Sequence, residues 1–523
     1  MEGEMSEKLT QANRDHRKIK NKNRKEIIMK KILSIILTAL MLTASFSMLV
    51  VPASAADNAS PVITPDASWY DANATTLVIN DAADLMAFAL QLEAKNTFYG
   101  KTVELAADVD LNPGWTASET APTNVWPYKT VAAEGFWGTF DGKGHTISGI
   151  YNDFNSIQAG IFGNYATRPN TRLDPEDSSK YIIHNIMIKN VAIVNSVQIV
   201  RGQDTGGFYG YVAQGVSNDN LNYTTINFEN VYNGISLYDL AASSNNKAGT
   251  AFCLGGFVGN CNSSGIVLNF KNCVYAGNMK FDTMVNDKVG GFVGTTGTTQ
   301  KDVVATTYEN CAYYGNADIG ADFFACFSAD GIRKDIVKNC VSAGVMKSSA
   351  DPMELITGAL VHQKNTGTTV TGCLYTTTNG LNVPFGEEVS VAPEGTTFCT
   401  HAELIGANAK TPAEGWTKTA GYAMPTSLYT QLKTLIDAQT PIVPDGTELG
   451  GGEQNDDKKE DTTNNNKKEE TETETKAPET EADTTAAVTE KVEEGGCGGV
   501  IGVGAVAIVG AAAIAVARKK KED

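Results

Sequence analysis

The chain has 523 residues, with 42 Lys and Arg against 60 Asp and Glu, a formal net charge of -18 and 50 glycines. So acidic a balance excludes nucleic acid as a partner, which would need a basic footprint. It suits an extracellular surface that resists self-association.

Met29-Lys30-Lys31, the apolar run Ile32-Leu33-Ser34-Ile35-Ile36-Leu37 and Ala53-Ser54-Ala55 read as a secretory signal over 29–55, with the mature chain starting at Ala56. An uncleaved membrane anchor is the alternative. Residues 1–28 are polar and basic, precede a complete signal, and read as a mis-start without structure. A lead-in over 56–76 carries Pro61, Pro65 and the pair Trp69-Tyr70, expected to be exposed.

Leu77-Val78-Ile79 predicts a short strand, and Asn80-Asp81 an N-cap for a helix over about 82–95. Leu85, Met86, Phe88, Ala89 and Leu92 would share one face. A strand over 98–105 follows, then Asp108-Val109-Asp110-Leu111-Asn112 and a long loop to about Ala133 holding Trp115, Trp126 and Tyr128. Between Phe136 and Ile150, short alternating strands are separated by Asp141-Gly142 and Lys143-Gly144 turns.

From Ile157 to about Tyr375 the sequence repeats. Gly206-Gly207-Phe208-Tyr209-Gly210, Gly255-Gly256-Phe257-Val258-Gly259 and Gly290-Gly291-Phe292-Val293-Gly294 share one motif, and Gly160-Ile161-Phe162-Gly163 is a shortened copy. Asn272-Cys273, Asn310-Cys311 and Asn339-Cys340 form a second motif, with weaker copies at Asn190-Val191, Asn230-Val231 and Gly372-Cys373. Successive Asn anchors lie 40, 42, 38 and 29 residues apart. Such periods mean stacked units that cannot bury their apolar faces alone. Short strands without intervening helices predict an all-β parallel β-helix over 77–385, the 82–95 helix covering its first coil.

The run from Leu77 through Phe140-Asp141-Gly142-Lys143-Gly144-His145-Thr146-Ile147, together with the glycine repeats, resembles GLUG-type repeat proteins of bacterial surfaces, over roughly 77–376. The resemblance implies a right-handed β-helix and a cell-surface role, and transfers no catalytic residues. This chain departs from the pattern by placing Phe where the motif has Leu, and by losing glycines at Thr357-Gly358-Ala359-Leu360.

Residues 386–440 lack the repeat. Ala402-Glu403-Leu404-Ile405, Trp416 and Tyr429, Leu432, Leu435 and Ile436 predict a C-terminal cap with a short helix near 426–437. Residues 441–496 turn to Glu, Asp, Lys, Thr and Asn and read as a disordered acidic stalk. Val500 to Ala517 is an unbroken run of 18 apolar residues followed by Arg518-Lys519-Lys520-Lys521. It predicts a single transmembrane helix within 497–523 whose basic tail stays inside, anchoring the ectodomain at the cell surface. No Leu-Pro-x-Thr-Gly signal is present. Cys497 beside this run reads equally as a lipidation or processing site or as an incidental cysteine.

Candidate chemistry is sparse. Cys273, Cys311, Cys340 and Cys373 share one repeat position and predict a ladder of buried free thiols, with disulfides as the alternative and Cys253 with Cys261 as the first pair to consider. Asn272, Asn310 and Asn339 predict left-handed corners or amide bonds between coils. No zinc spacing is present, and no metal or cofactor is expected. The acid–base candidates are Asp108 and Asp110, Asp141 with His145, and Asp318 with Asp322. They leave a polysaccharide lyase or glycoside hydrolase as the alternative to adhesion, and a purely structural envelope protein as a third reading. Trp115, Trp126, Trp137 and Tyr128 are the candidate binding residues for cell-wall or host glycans or surface proteins, unless they simply close the solenoid end.

Overall fold

The computed structural model describes residues 60–438, apart from internal segments of which 168–182, 240–252 and 377–394 are the longest. The signal, stalk, apolar run, Cys497, Tyr128 and Asp322 lie outside the described residues. Those described form a parallel β-solenoid. Its segments stack into one long sheet (sheet I) and two six-stranded sheets (II and III), each six-stranded sheet taking one strand per coil. In one turn the chain passes from Cys253–Gly255 in sheet II to Val258–Cys261 in sheet III, then through Ile266–Lys271, Val274–Tyr275 and Asn278–Phe281 in sheet I. Lys288–Gly290 then returns to sheet II, in register with Cys253–Gly255.

The glycine motif is the corner between sheets II and III. Its second glycine has no room for a side chain: a Cβ on Gly256 would lie 2.0 Å from the Gly291 carbonyl, and one on Gly291 2.1 Å from that of Cys326. Its phenylalanine points inward, and Phe208, Phe257, Phe292 and Phe327 stack face to face at 5.5, 4.8 and 5.1 Å. A second column runs through Phe228, Phe270 and Tyr308 at 4.9 and 5.2 Å. These spacings match the ~4.8 Å rise between strands, so a flat ring at the repeat position meets its own copy in each coil. Each stacked pair adds about 0.5–1.5 kcal/mol beyond burial.

The Asn-Cys motif turns a corner within sheet I. Asn190, Asn230, Asn272, Asn310 and Asn339 all have φ between 53° and 55°, and Gly372 takes the place in the last copy at 63°. Asn tolerates this left-handed conformation better than most residues. Three of these amides also reach back one coil to the preceding Asn: Asn230 Nδ2 donates to Asn190 Oδ1 at 3.1 Å, Asn272 to Asn230 at 3.1 Å and Asn310 to Asn272 at 3.2 Å. Both roles expected of the repeated Asn are present together.

The next residue points inward, and all eight described cysteines are buried free thiols, Cys253 and Cys261 included. Cys273, Cys311 and Cys340 donate to the carbonyls of Phe228, Phe270 and Tyr308, and Cys311 N and Cys340 N donate to Cys340 Sγ and Cys373 Sγ at 3.4 Å. Burial, reinforced by the adjoining thiols, holds Cys311 above the ordinary thiol range. For Cys373 the hydrogen bond with Cys340 leads and burial follows. The row therefore works as small apolar filler.

On the outer side, the residue before each Asn forms a stripe in which Lys189, Glu229, Lys271, Glu309 and Lys338 are successive register partners. Its sign alternates from coil to coil.

At the N-terminal end, Asp81 caps the helix Ala82–Glu93 by accepting from Ala83 N and Asp84 N. Phe88 on its buried face lies 5.1–5.8 Å from Phe98, Phe136, Phe140 and Phe162, so the helix covers the core of the first coils as expected. Trp69 and Tyr70 are half-buried against this cluster instead of exposed, because Trp69 Nε1 donates to Val78 O and its ring meets Phe88 edge-on.

The C-terminal segment departs more from expectation. Thr396–Phe398 adds a rung to sheet I, and helices Thr426–Gln431 and Lys433–Ala438 fall near the expected place. Yet Leu404, Tyr422, Met424, Leu428, Leu432 and Ile436 pack on Ala192, Tyr232, Val274, Ala312 and Val341. Those are outward residues of five successive coils. Tyr422 stacks on Tyr314 at 4.1 Å, and Gln431 O abuts Gly144 in the first coils. The segment is a strap along the side of the solenoid, drawn there by an apolar row that the repeat places outside the coil.

Candidate functional site

The acid candidates separate into structural contacts. Asp141 precedes the Asn row by one coil, and its Oδ1 accepts from Asn190 Nδ2 at 3.0 Å and from Lys143 N at 3.0 Å. Its Oδ2 lies 3.4 Å from both Lys143 Nζ and Lys189 Nζ. Burial opposes ionisation, but the hydrogen bonds from Asn190 and Lys143 and the two ammonium groups outweigh it and hold the carboxyl below its usual range. His145 does not join Asp141. Its Nδ1 faces Asp108 Oδ1 at 3.3 Å, and that carboxylate also accepts from Thr146 N at 2.8 Å. Asp110 Oδ1 accepts from Asn112 N, closing a turn beneath Gly149. Asp318 is exposed on sheet I beside Lys280 and Lys347 in register.

The tryptophans divide as well. Trp126 is 1% exposed, with Nε1 donating to Ile161 O at 3.1 Å, and belongs to the core. Trp137 is buried between Tyr165 and His184, at 5.6 and 4.9 Å between ring centroids. Neither can present a ring to a ligand. Trp115 is half-buried, meets Tyr151 edge-on at 6.1 Å, and is held by Asn195 Nδ2 donating to its carbonyl. These residues close and brace the N-terminal coils.

A different aromatic reaches the surface. Tyr99 is 57% exposed, and its ring lies 4.8 Å from the buried imidazole of His184, which rests in turn on Trp137. His184 Nδ1 and Tyr165 Oη are hydrogen-bonded at 3.1 Å, and His184 N donates to Thr224 Oγ1. Ile183, 39% exposed, adjoins in sequence. The result is an exposed ring backed by buried, hydrogen-bonded aromatic groups, suited to lying against the C–H face of a sugar or a partner's apolar side chain. Sequence reading placed Tyr99 in an ordinary strand. The strand begins only at Thr102, because Phe98 at a φ of 59° turns the chain and sets Tyr99 before it.

Between sheets II and III lies a buried polar row. Asp204 accepts from Asn260 Nδ2 at 2.9 Å and from Gln158 Nε2 at 3.2 Å, and burial pushes its carboxyl up to about 6 against those two donors. Further along, Lys288 and Asp330 form an ion pair with side chains 7% and 1% exposed. Among the described residues, no three His, Cys, Asp or Glu side chains gather as a metal site, and no helix is long and apolar enough to cross a membrane.

No protein-family model, curated protein or solved structure matches this chain.

Proposed function

We propose that this chain is an exported bacterial surface protein of the GLUG-repeat type, a right-handed parallel β-helix carried on an acidic stalk and a C-terminal membrane helix. It acts in adhesion, capturing cell-wall or host glycans or surface proteins. The observation that carries this reading is the exposed Tyr99 ring resting, tilted, on buried His184, which is backed in turn by Trp137. Aromatic faces held by a rigid support bind sugars and partner side chains at small entropic cost. The handedness follows the general rule for parallel crossovers. Export and anchoring rest on Met29 to Ala55 and Val500 to Lys521.

A lyase or hydrolase on the same scaffold would need a carboxylate free to work. Asp141 is instead committed to Asn190 and two lysines, which favours binding over turnover. Glycan-array and cell-wall pull-down measurements on the exported chain test the proposal. Binding lost in Tyr99→Ala, without product release, supports it. Released saccharide, or binding indifferent to Tyr99, counts against it.

A further inference from the structure

We propose that Lys288 and Asp330 become joined by an intramolecular isopeptide bond, an amide between Lys288 Nζ and Asp330 Cγ. Lys288 opens the sheet II strand Lys288–Gly290, and Asp330 lies in the sheet III strand Ser328–Gly331 one coil later. Their side chains are in contact and buried. Their register partners Cys253 and Thr295 are uncharged, and the hydroxyls of Thr295 and Thr296 donate to the Asp330 carbonyl at 3.4 and 3.3 Å, fixing the backbone there. A nucleophile and an acyl carbon are thus held together away from bulk water, the arrangement that makes an intramolecular condensation fast.

The chemistry balances without a co-reactant. The reaction begins with transfer of one proton from the Lys288 ammonium to the Asp330 carboxylate it contacts, leaving an amine and a carboxylic acid. The Nζ lone pair attacks Cγ, the Nζ–Cγ bond forms, and the Cγ–OH bond breaks. The departing hydroxyl takes a proton from Nζ and leaves as water. Nothing is oxidised or reduced. Two buried charges, which are costly to desolvate, are replaced by one neutral amide. The bond would clamp successive coils across the glycine corner, closing a loop of about one turn as a disulfide would.

Peptide mapping of the natively purified full chain by mass spectrometry tests this. Trypsin cuts after Lys280, Lys301 and Arg333. The expected product is peptide 281–301, uncut at Lys288, joined to peptide 302–333, lighter than their sum by one water and stable to reduction. Lys288→Arg keeps the ion pair but cannot form the amide. It should yield the two peptides unlinked and unfold several degrees lower than the parent. A parent chain that yields peptide 281–288 cleaved after Lys288, with peptide 302–333 at its full mass, overturns the proposal.

Discussion

Asn190 Nδ2 donates to Asp141 Oδ1 at 3.0 Å, so a carboxylate terminates the column of asparagine amides running up the solenoid. From Asn310 back to Asn190 each amide gives to the coil before it, and the first position must only accept. An ionised carboxylate is an acceptor with no donor to satisfy.

Replacing Asp141 with Ala should therefore leave the Asn190 amide and Lys143 N unpartnered and cost about 1–3 kcal/mol in urea unfolding. The carboxyl is held below its usual range. Its stabilising contribution is then fully present above the unfolded value of ~3.9 and lost as the pH falls through the lower folded value. Acid titration of stability should be shallower in Asp141→Ala than in the parent. An unchanged acid limb would show that the column does not depend on this charge.

Gly291→Ala should be severe. Its new Cβ would sit 2.1 Å from the Cys326 carbonyl and 2.3 Å from the Tyr313 ring, neither of which can withdraw cheaply. Overpacking of this kind costs about 1–3 kcal/mol or more. Gly100→Ala, where nothing lies within 4 Å but φ is +71°, should lose only the cost of a left-handed residue, about 1 kcal/mol. Thermal melts of the pair separate crowding from conformation.

The described cysteines should resist thiol reagents in the native protein and react together on unfolding. Burial pushes Cys326 up to about 12 and holds Cys311 well above its ordinary value. At Cys340 burial is outweighed by hydrogen bonds with Cys311 and Cys373 that draw the thiol down, so the row is protected by exclusion of the reagent from the packed coils. Reducing agent should leave the melting temperature unchanged. Rapid native labelling of Cys311 or Cys340 would contradict the ladder as a sealed row.

Tyr422→Ala removes the ring stacked on Tyr314 and should loosen the strap more than the coils. Loss of a buried aromatic side chain costs about 3–5 kcal/mol, here spread over a segment of few elements. The expected outcome is early proteolysis within 396–438 and increased dye binding to the uncovered row of Ala192, Tyr232, Val274 and Ala312. Simultaneous digestion of strap and solenoid would show that they unfold as one unit.

Much of this scaffold was legible because a repeat writes the same physical requirement several times. Asn at the corner, Gly beneath a neighbour's carbonyl and Cys on the inside each recur at one position, and each does what its chemistry suggests. The Asp81 cap and the apolar face of the following helix were equally plain. What a periodic reading could not supply were the contacts made once. The strap's apolar residues were visible, but nothing in them says whether they meet the end of the coil or its side. Trp126 and Trp137 look like ligand platforms in the sequence because a tryptophan outside the repeats looks the same whether its segment folds inward or outward. Tyr99 shows the converse: in the sequence nothing sets it apart from the strand residues that follow it. Lys288 and Asp330 lie 42 positions apart on different sheets, and only the coil period brings them together.

The outer stripe of Lys189, Glu229, Lys271, Glu309 and Lys338 carries one more consequence. Because the sign changes at every coil, deleting or duplicating a single coil would set two like charges side by side, a repulsive pairing in any sheet. Removing two restores the alternation. The stack thus has a parity: it tolerates growth or shortening in even steps, and a rung skipped during folding is marked as an error on its outer face.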